Sequence, residues 1–173
     1  MQMTDKDRLA KVFRGNYLAA EKYIERQNNK KQLLSFYEVP KRPDVLKSEV
    51  HIKHCMDKKY AVVMGLYQNK PYEIFVRDIT DFPIVKRKFI GKTTRVRKNR
   101  YDFIADDDSL ILRCLDDNKD KELIICCAFV SMLLRHNCNI KLINKTISQL
   151  WGNSHKLWEA SIRRTLNKFV KSK

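Results

Sequence analysis

Between residues 4 and 36, apolar side chains recur at three-to-four spacing, at Leu9, Val12, Phe13, Tyr17, Ala20 and Ile24. That spacing marks one face of a helix. Thr4 can cap it, and Asp5 and Asp7 suit its N-terminus. Gly15 weakens its middle, and residues 25–31 are almost wholly polar, so the arm is expected to be exposed or broken there. Pro40 and Pro43 end it and stiffen the link to the next segment. The period then changes to two. Residues 48–56 and 59–67 flank an Asp57-Lys58 turn, as a hairpin would, and 71–78 comes after a Gln68-Asn69-Lys70 turn as a third strand. The middle segment, K-Y-A-V-V-M-G-L-Y, is nearly all apolar, as a strand covered on both faces should be. Pro83 marks a loop. Two or three more strands follow in K-F-I-G-K-T-T-R-V-R-K, R-Y-D-F-I-A-D and L-I-L-R-C-L, the last pair joined through Asp106-Asp107-Asp108-Ser109.

Past residue 120 the period changes again. Residues 121–136 are apolar nearly all round, which predicts a buried helix. Asn137 and Asn139 break it, and Ile140, Leu142, Ile143, Ile147 and Leu150 mark a short amphipathic helix. Gly152-Asn153-Ser154 reads as a stop followed by a cap. A last helix carries Trp158, Ile162, Leu166, Phe169 and Val170 inward, with Arg163, Arg164, Lys168 and Lys171 largely outward. The order helix, sheet, helices is that of an α+β protein. It predicts an N-terminal helical arm over 1–39 and a domain over 40–173. In that domain an antiparallel sheet of five to six strands (47–115) carries three helices (119–171) on one face.

Charge adds a class of partner. Lys and Arg number 36 against 20 Asp and Glu, a net charge of +16. Such a field attracts nucleic acid, an anionic surface or an acidic protein; a Lys-rich solvated surface is the plainer reading. With 43% hydrophobic and 32% charged residues the chain is not disordered. Five cysteines, two of them adjacent in an apolar run, make no disulfide framework and fit a reducing compartment. The N-terminus is charged from the start, and the longest apolar run, 123–130, is too short to span a bilayer. A cytoplasmic protein with no membrane partner is expected. Its small size and Lys/Asn-rich composition suggest a phage or mobile-element gene expressed inside a bacterial host.

The charge has a focus. Residues 86–100, K-R-K-F-I-G-K-T-T-R-V-R-K-N-R, hold eight basic residues and no acid. Lys86, Arg87, Lys88, Lys92, Arg95, Arg97, Lys98 and Arg100 are the candidate nucleic-acid contacts. In an extended pair Arg95 and Arg97 would share a face, with Val96 turned inward and Tyr101 nearby, and could track a phosphate backbone. An exposed hairpin guarded by charge against edge pairing explains the run without a ligand. Arg163, Arg164 and Lys168 form a second basic face on the last helix. Convergence of the two patches would matter more than either alone.

Other chemistry is thin. His51, His54 and Cys55 form H-x-x-H-C, but on a strand His54 points away from the other two, and no further ligand pair completes a metal site. Cys126 and Cys127 read as small hydrophobes. Asp106, Asp107 and Asp108 suit a turn as well as a cation. Asp116, Asp117, Asp120 and Glu122 favour the start of the apolar helix. No nucleophile elbow, dinucleotide fingerprint or P-loop is present. No catalytic residue, metal or cofactor is expected.

Several segments together resemble a known family. Lys41-Arg42-Pro43, Glu49-Val50-His51, Val63-Met64-Gly65-Leu66 and above all Asn69-Lys70-Pro71-Tyr72-Glu73-Ile74-Phe75-Val76 are similar to the C-terminal accessory (TSCPD) domain of adenosylcobalamin-dependent, class II ribonucleotide reductases. The likeness continues at Gly91, Val96, Lys98, Tyr101-Asp102, Leu133-Leu134-Arg135-His136, Ile143, Gln149, Arg164, Leu166 and Lys168-Phe169-Val170, spanning roughly 40–171. It implies a sheet followed by helices. It does not imply the reaction, which in that family resides in a separate barrel domain whose cysteines and cobalamin site have no counterpart here. The first expectation is therefore a non-catalytic basic module, standing by itself, that binds nucleic acid or another polyanion. A second is a detached accessory subunit of a reductase large chain. A third is a structural or host-interaction protein of a phage, able to homo-oligomerise through its N-terminal helix. A metal-dependent nuclease comes last.

Overall fold

The computed structural model describes residues 18–19, 21–28, 39–152 and 156–170. The chain divides into two units, one ending at Pro40 and the other starting at Lys41. In the first, residues 18–19 and 21–28 are helical. The rest of the expected arm, with its Thr4 cap and most of its apolar stripe, lies outside the described residues, as do Asn153, Ser154 and Lys171.

The second unit is an antiparallel sheet with helices after it. Its strands are β1 (Val45–Cys55), β2 (Lys58–Tyr67), β3 (Lys70–Asp78), β4 (Lys88–Arg97), β5 (Arg100–Ala105) and β6 (Ile111–Leu112). They lie in the order β3-β2-β1-β4-β5-β6. Two-residue turns join the first three. Met56 is left-handed at the first turn (φ 54°), one residue before the predicted position, and both Gln68 and Asn69 are left-handed at the second. Two left-handed central residues give the twist that a tight hairpin needs.

Three helices follow: α1 (Lys121–Arg135), α2 (Ile140–Trp151) and α3 (Leu157–Leu166), the last running into a short 3₁₀ turn, Asn167–Phe169. Asp120 caps α1, accepting from the amides of Glu122 and Leu123 and also from the Trp158 indole. The apolar character of α1 does not mean burial all round: Ile125 is 61% exposed and Met132 49%. Its inner face, with Leu123, Cys126, Val130 and Leu134, packs on the sheet. In α2, Ile143 and Ile147 are buried, whereas Leu142 and Leu150 face out.

The sheet has a core on each side. Tyr60, Val62, Met64, Ile74 and Val76 meet the helices. Val50, Ala61, Val63, Phe89, Phe103 and Leu112 form the other core, closed by Ile79, Leu110 and Leu115. All seven residues from Tyr60 to Leu66 are buried, because β2 is covered on both faces. The sheet curls about the second core. The Arg77 guanidinium on β3 donates to the carbonyls of Arg113 and Cys114, just past β6, at 2.8 and 2.9 Å. Phe75 on β3 touches Tyr101 on β5, ring to ring, at 5.1 Å.

A buried ion pair lies inside this half-barrel. The Glu73 side chain has no solvent exposure and is held by Arg42 through two hydrogen bonds of 2.7 Å. Arg135 of α1 approaches the same carboxylate at 3.4 Å. Arg42 stacks over Tyr101 and Arg135 over Tyr72. Gly65 sits opposite Glu73, where an added Cβ would come within 2.6 Å of the Glu73 Cγ. A side chain at residue 65 would displace the carboxylate, and breaking a buried pair of this kind costs about 3–5 kcal/mol.

Candidate nucleic-acid interface

Alternation along β1 puts Lys47, Glu49, His51, Lys53 and Cys55 on the face that carries the helices. The register with β4 adds Lys88 opposite His51, Ile90 opposite Glu49 and Lys92 opposite Lys47. The helices pack on the β1–β3 side of this face: α1 meets β3, and α3 meets β1 and β2. The part formed by β4, β5 and β6 is open, with Ile90, Ile104 and Ile111 each more than 40% exposed and Lys88 and Lys92 also exposed, as is Lys47 on the adjoining β1.

The two basic patches meet at the border between the covered and open halves. His51 is 2% exposed. Its Nδ1 lies 3.0 Å from the Lys168 ammonium, and its Nε2 lies 3.2 Å from Glu49. An ammonium can only donate, so Nδ1 accepts and the ring proton sits on Nε2, facing the carboxylate. Glu49 also holds Lys88 at 2.9 Å. Burial, reinforced by the charges of Lys168, Lys88 and Lys53, drives the His51 pKa down to about 4 against the pull of Glu49. Lys53 is pushed below the ordinary lysine range by burial and by Lys168 and Arg164 beside it. Arg164 leans on the end of β1, 3.5 Å from the His54 carbonyl. Farther along, Lys47 and Lys92 stand directly opposite each other, a like-charge pairing that weakens a sheet.

The remaining candidates are placed elsewhere or already paired. Lys86 is bonded to Asp107 at 2.8 Å and lies over the Phe89 ring. Arg87 precedes β4, and its carbonyl accepts from the Ile52 amide. Arg95, opposite Tyr101, belongs to the other face. A bulge between Arg95 and Arg97 breaks the alternation there, so Val96 does not turn inward but is 62% exposed, and Arg97 comes opposite Arg100. Arg97, Lys98 and Arg100 thus form the hairpin tip, about 30 Å along the strand from Lys88. Arg100 approaches Asp116 at 3.9 Å, and Arg163 is tied to Glu159 at 3.0 Å. Of the basic positions singled out in the sequence, Lys88, Lys92, Arg164 and Lys168 join one face. Lys47, Lys53 and His51 complete it. Their signal was present as the polar period-two run K-x-E-x-H-x-K on β1, readable only once β1 was known to lie beside β4.

Several of the acidic groups have structural partners, and the Cys126 and Cys127 thiols are buried. Asp107 accepts from Ser109 within the β5–β6 turn and from Lys86, which precedes β4. Asp102 and Asp116 accept backbone amides from Cys114 and Tyr101. Burial raises the Cys126 thiol to about 12 and pushes Cys127 up as well, so neither is a ready thiolate. Among the described residues, no group of three or more His, Cys, Asp or Glu is placed to hold a metal ion, and no helix is long and apolar enough to cross a membrane.

Comparison with known proteins adds one finding. Residues 46–171 match the family model described as NrdJ homologue C-terminal domain. No curated protein and no solved structure matches the chain. The matched span contains every strand from Leu46 onward and all three helices of the second unit, and it agrees with the likeness carried by the K-P-Y-E-I-F-V segment of β3. The chain belongs to the NrdJ homologue C-terminal domain family, an α+β accessory domain of the ribonucleotide reductase type.

Proposed function

We propose that this domain binds nucleic acid through its phosphates, on the open part of the helix-bearing face, with no chemistry of its own. The observation that carries the reading is the meeting of Lys53, Lys88 and Lys168 around His51, where Glu49 offsets only part of their charge, continued by the opposed Lys47 and Lys92. Such crowding weakens the fold, and a row of phosphates would relieve it. Contacts of this kind fix position and carry no sequence information, so binding is expected to be steeply salt-dependent and weakly sequence-selective.

The test is fluorescence anisotropy with labelled single-stranded DNA, duplex DNA and RNA, at salt concentrations between about 50 and 200 mM. Lys92→Ala and Lys168→Ala should each lower the slope of log affinity against log salt by about one. Lys86→Ala, already neutralised by Asp107, should barely change it. Absence of binding to all three polymers at low salt would sink the proposal, as would slopes that respond to Arg97 and Arg100 but not to Lys92 and Lys168.

The family match supports a second reading, an accessory role beside a reductase large chain. Adding the protein to a large chain lacking its own C-terminal domain should then change reductase activity. Unchanged activity and no co-purification would count against it.

A further inference from the structure

A cleft of about 450 Å³ opens between β3, α1 and the β4–β5 hairpin, apart from the basic face. Its walls are largely apolar: Phe75 and Val76 from β3, Leu123, Ile124 and Ala128 from α1, and Leu115. Its size falls within the ~300–1,000 Å³ of small-molecule sites, and the mixture of apolar wall and few polar groups is typical of them. Asn118 is already spent, since it donates to the Val76 carbonyl and accepts from the Asp120 amide. Asp116 accepts from the Tyr101 amide.

Arg135 differs from these. It lines the cleft, and its Nε is buried with no hydrogen-bond partner among the described residues. Its contact with Glu73 is 3.4 Å, whereas Arg42 holds both oxygens of that carboxylate at 2.7 Å. Two arginines thus share one carboxylate, and Arg135 is the more weakly held of them, steadied over the Tyr72 ring at 5.1 Å. The one net positive charge of Arg42, Arg135 and Glu73 together matches one negative charge. A dianionic phosphate would leave a charge uncompensated near Glu73 and Asp116.

We infer that this cleft binds a carboxylate carried on an apolar body, with Arg135 gripping the acid and the β3–α1 wall enclosing the body. The same chemistry is presented by a free aromatic or aliphatic acid and by the C-terminal residue of a peptide. The inference stands apart from the nucleic-acid reading and survives its failure.

The test is a nuclear magnetic resonance titration of the full chain with 2-naphthoate and with its neutral amide, alongside N-acetyl-phenylalanine and the corresponding amide. The acids should bind about tenfold or more tightly than their amides, the weight of a charge-assisted hydrogen bond. Shifts should centre on Phe75, Val76, Ala128 and Ser131. Preference for naphthoate over acetyl-phenylalanine points to a free acid, and the reverse to a chain terminus. Arg135→Met should erase the acid preference. Ala128→Trp, which fills the cleft from an exposed position, should block acids and amides alike while Arg135 stays in place. Equal binding of acid and amide, shifts centred on Lys88 and Lys92, or binding that survives Ala128→Trp would each overturn the assignment.

Discussion

His51 is a buried imidazole among cations, and burial first, then Lys168 and the other cations beside it, keeps its ring neutral. Its pKa in the folded chain is about 4, against about 6.5 when unfolded. Between these values the unfolded chain takes up a proton that the folded one refuses. Stability contributed by the neutral ring is thus complete above pH 6.5, falls as the pH drops towards 4 and falls no further below that. Denaturant midpoints measured from pH 7.5 to 4 should show this loss, and His51→Asn should flatten that part of the profile. A His51 ring that titrates near 6.5 in the folded protein would contradict it. A bound polyanion should raise this pKa, because it offsets Lys168, Lys88 and Lys53.

At the scale of elements, α1 works as the cover of an edge. β3 ends the sheet, and an uncovered edge strand invites pairing with another chain. Ser131 accepts from the Ile74 amide at 3.0 Å and reaches back towards the Ile74 carbonyl, the Val76 backbone meets the Cys127 sulfur, and Asn118 takes the Val76 carbonyl. Ser131→Ala leaves a buried amide without its partner and should cost about 1–3 kcal/mol. Faster hydrogen exchange at Ile74, together with concentration-dependent association, would be the expected signs. Unchanged exchange there would show that α1 does not seal the edge. The strands and helices themselves were legible in the sequence, since periods of two and of three to four mark them directly. What α1 covers was not. C-C-A-F-V-S reads as a buried helix because composition cannot separate an inner face from an outer one that stays apolar, and Ile125 and Met132 lie outside. The isolated acid in Y-E-I-F-V, with Gly65 opposite, was the legible sign of the Arg42–Glu73 pair, but the partner arginine lies 31 residues away.

For the whole molecule, the question is where the charge excess is concentrated. The 86–100 run looked like one patch in the sequence, yet the bulge at Arg97 and the pairing with β1 divide it between a face and a hairpin tip. The face is completed by residues from β1 and from the far end of the chain, a meeting that only the tertiary fold creates. This sets up a trade-off. Lys92→Glu replaces the like-charge pairing with Lys47 by an attractive one, so it should raise stability by a few tenths of a kcal/mol while weakening any nucleic-acid binding. Paired unfolding and binding curves for this one variant read both effects, and a loss of stability would remove the argument from crowding. The twofold coverage of β2 bears on how such a chain can vary over generations. From Tyr60 to Leu66, neighbouring side chains belong alternately to two different cores. A substitution there disturbs one core at one place. Gaining or losing a single residue would exchange the two sets wholesale, sending Met64 and Val62 where Val63 and Ala61 belong. Descendants of this sequence can therefore lengthen or shorten at the turns around Met56 and Asn69, while the seven positions between keep their count.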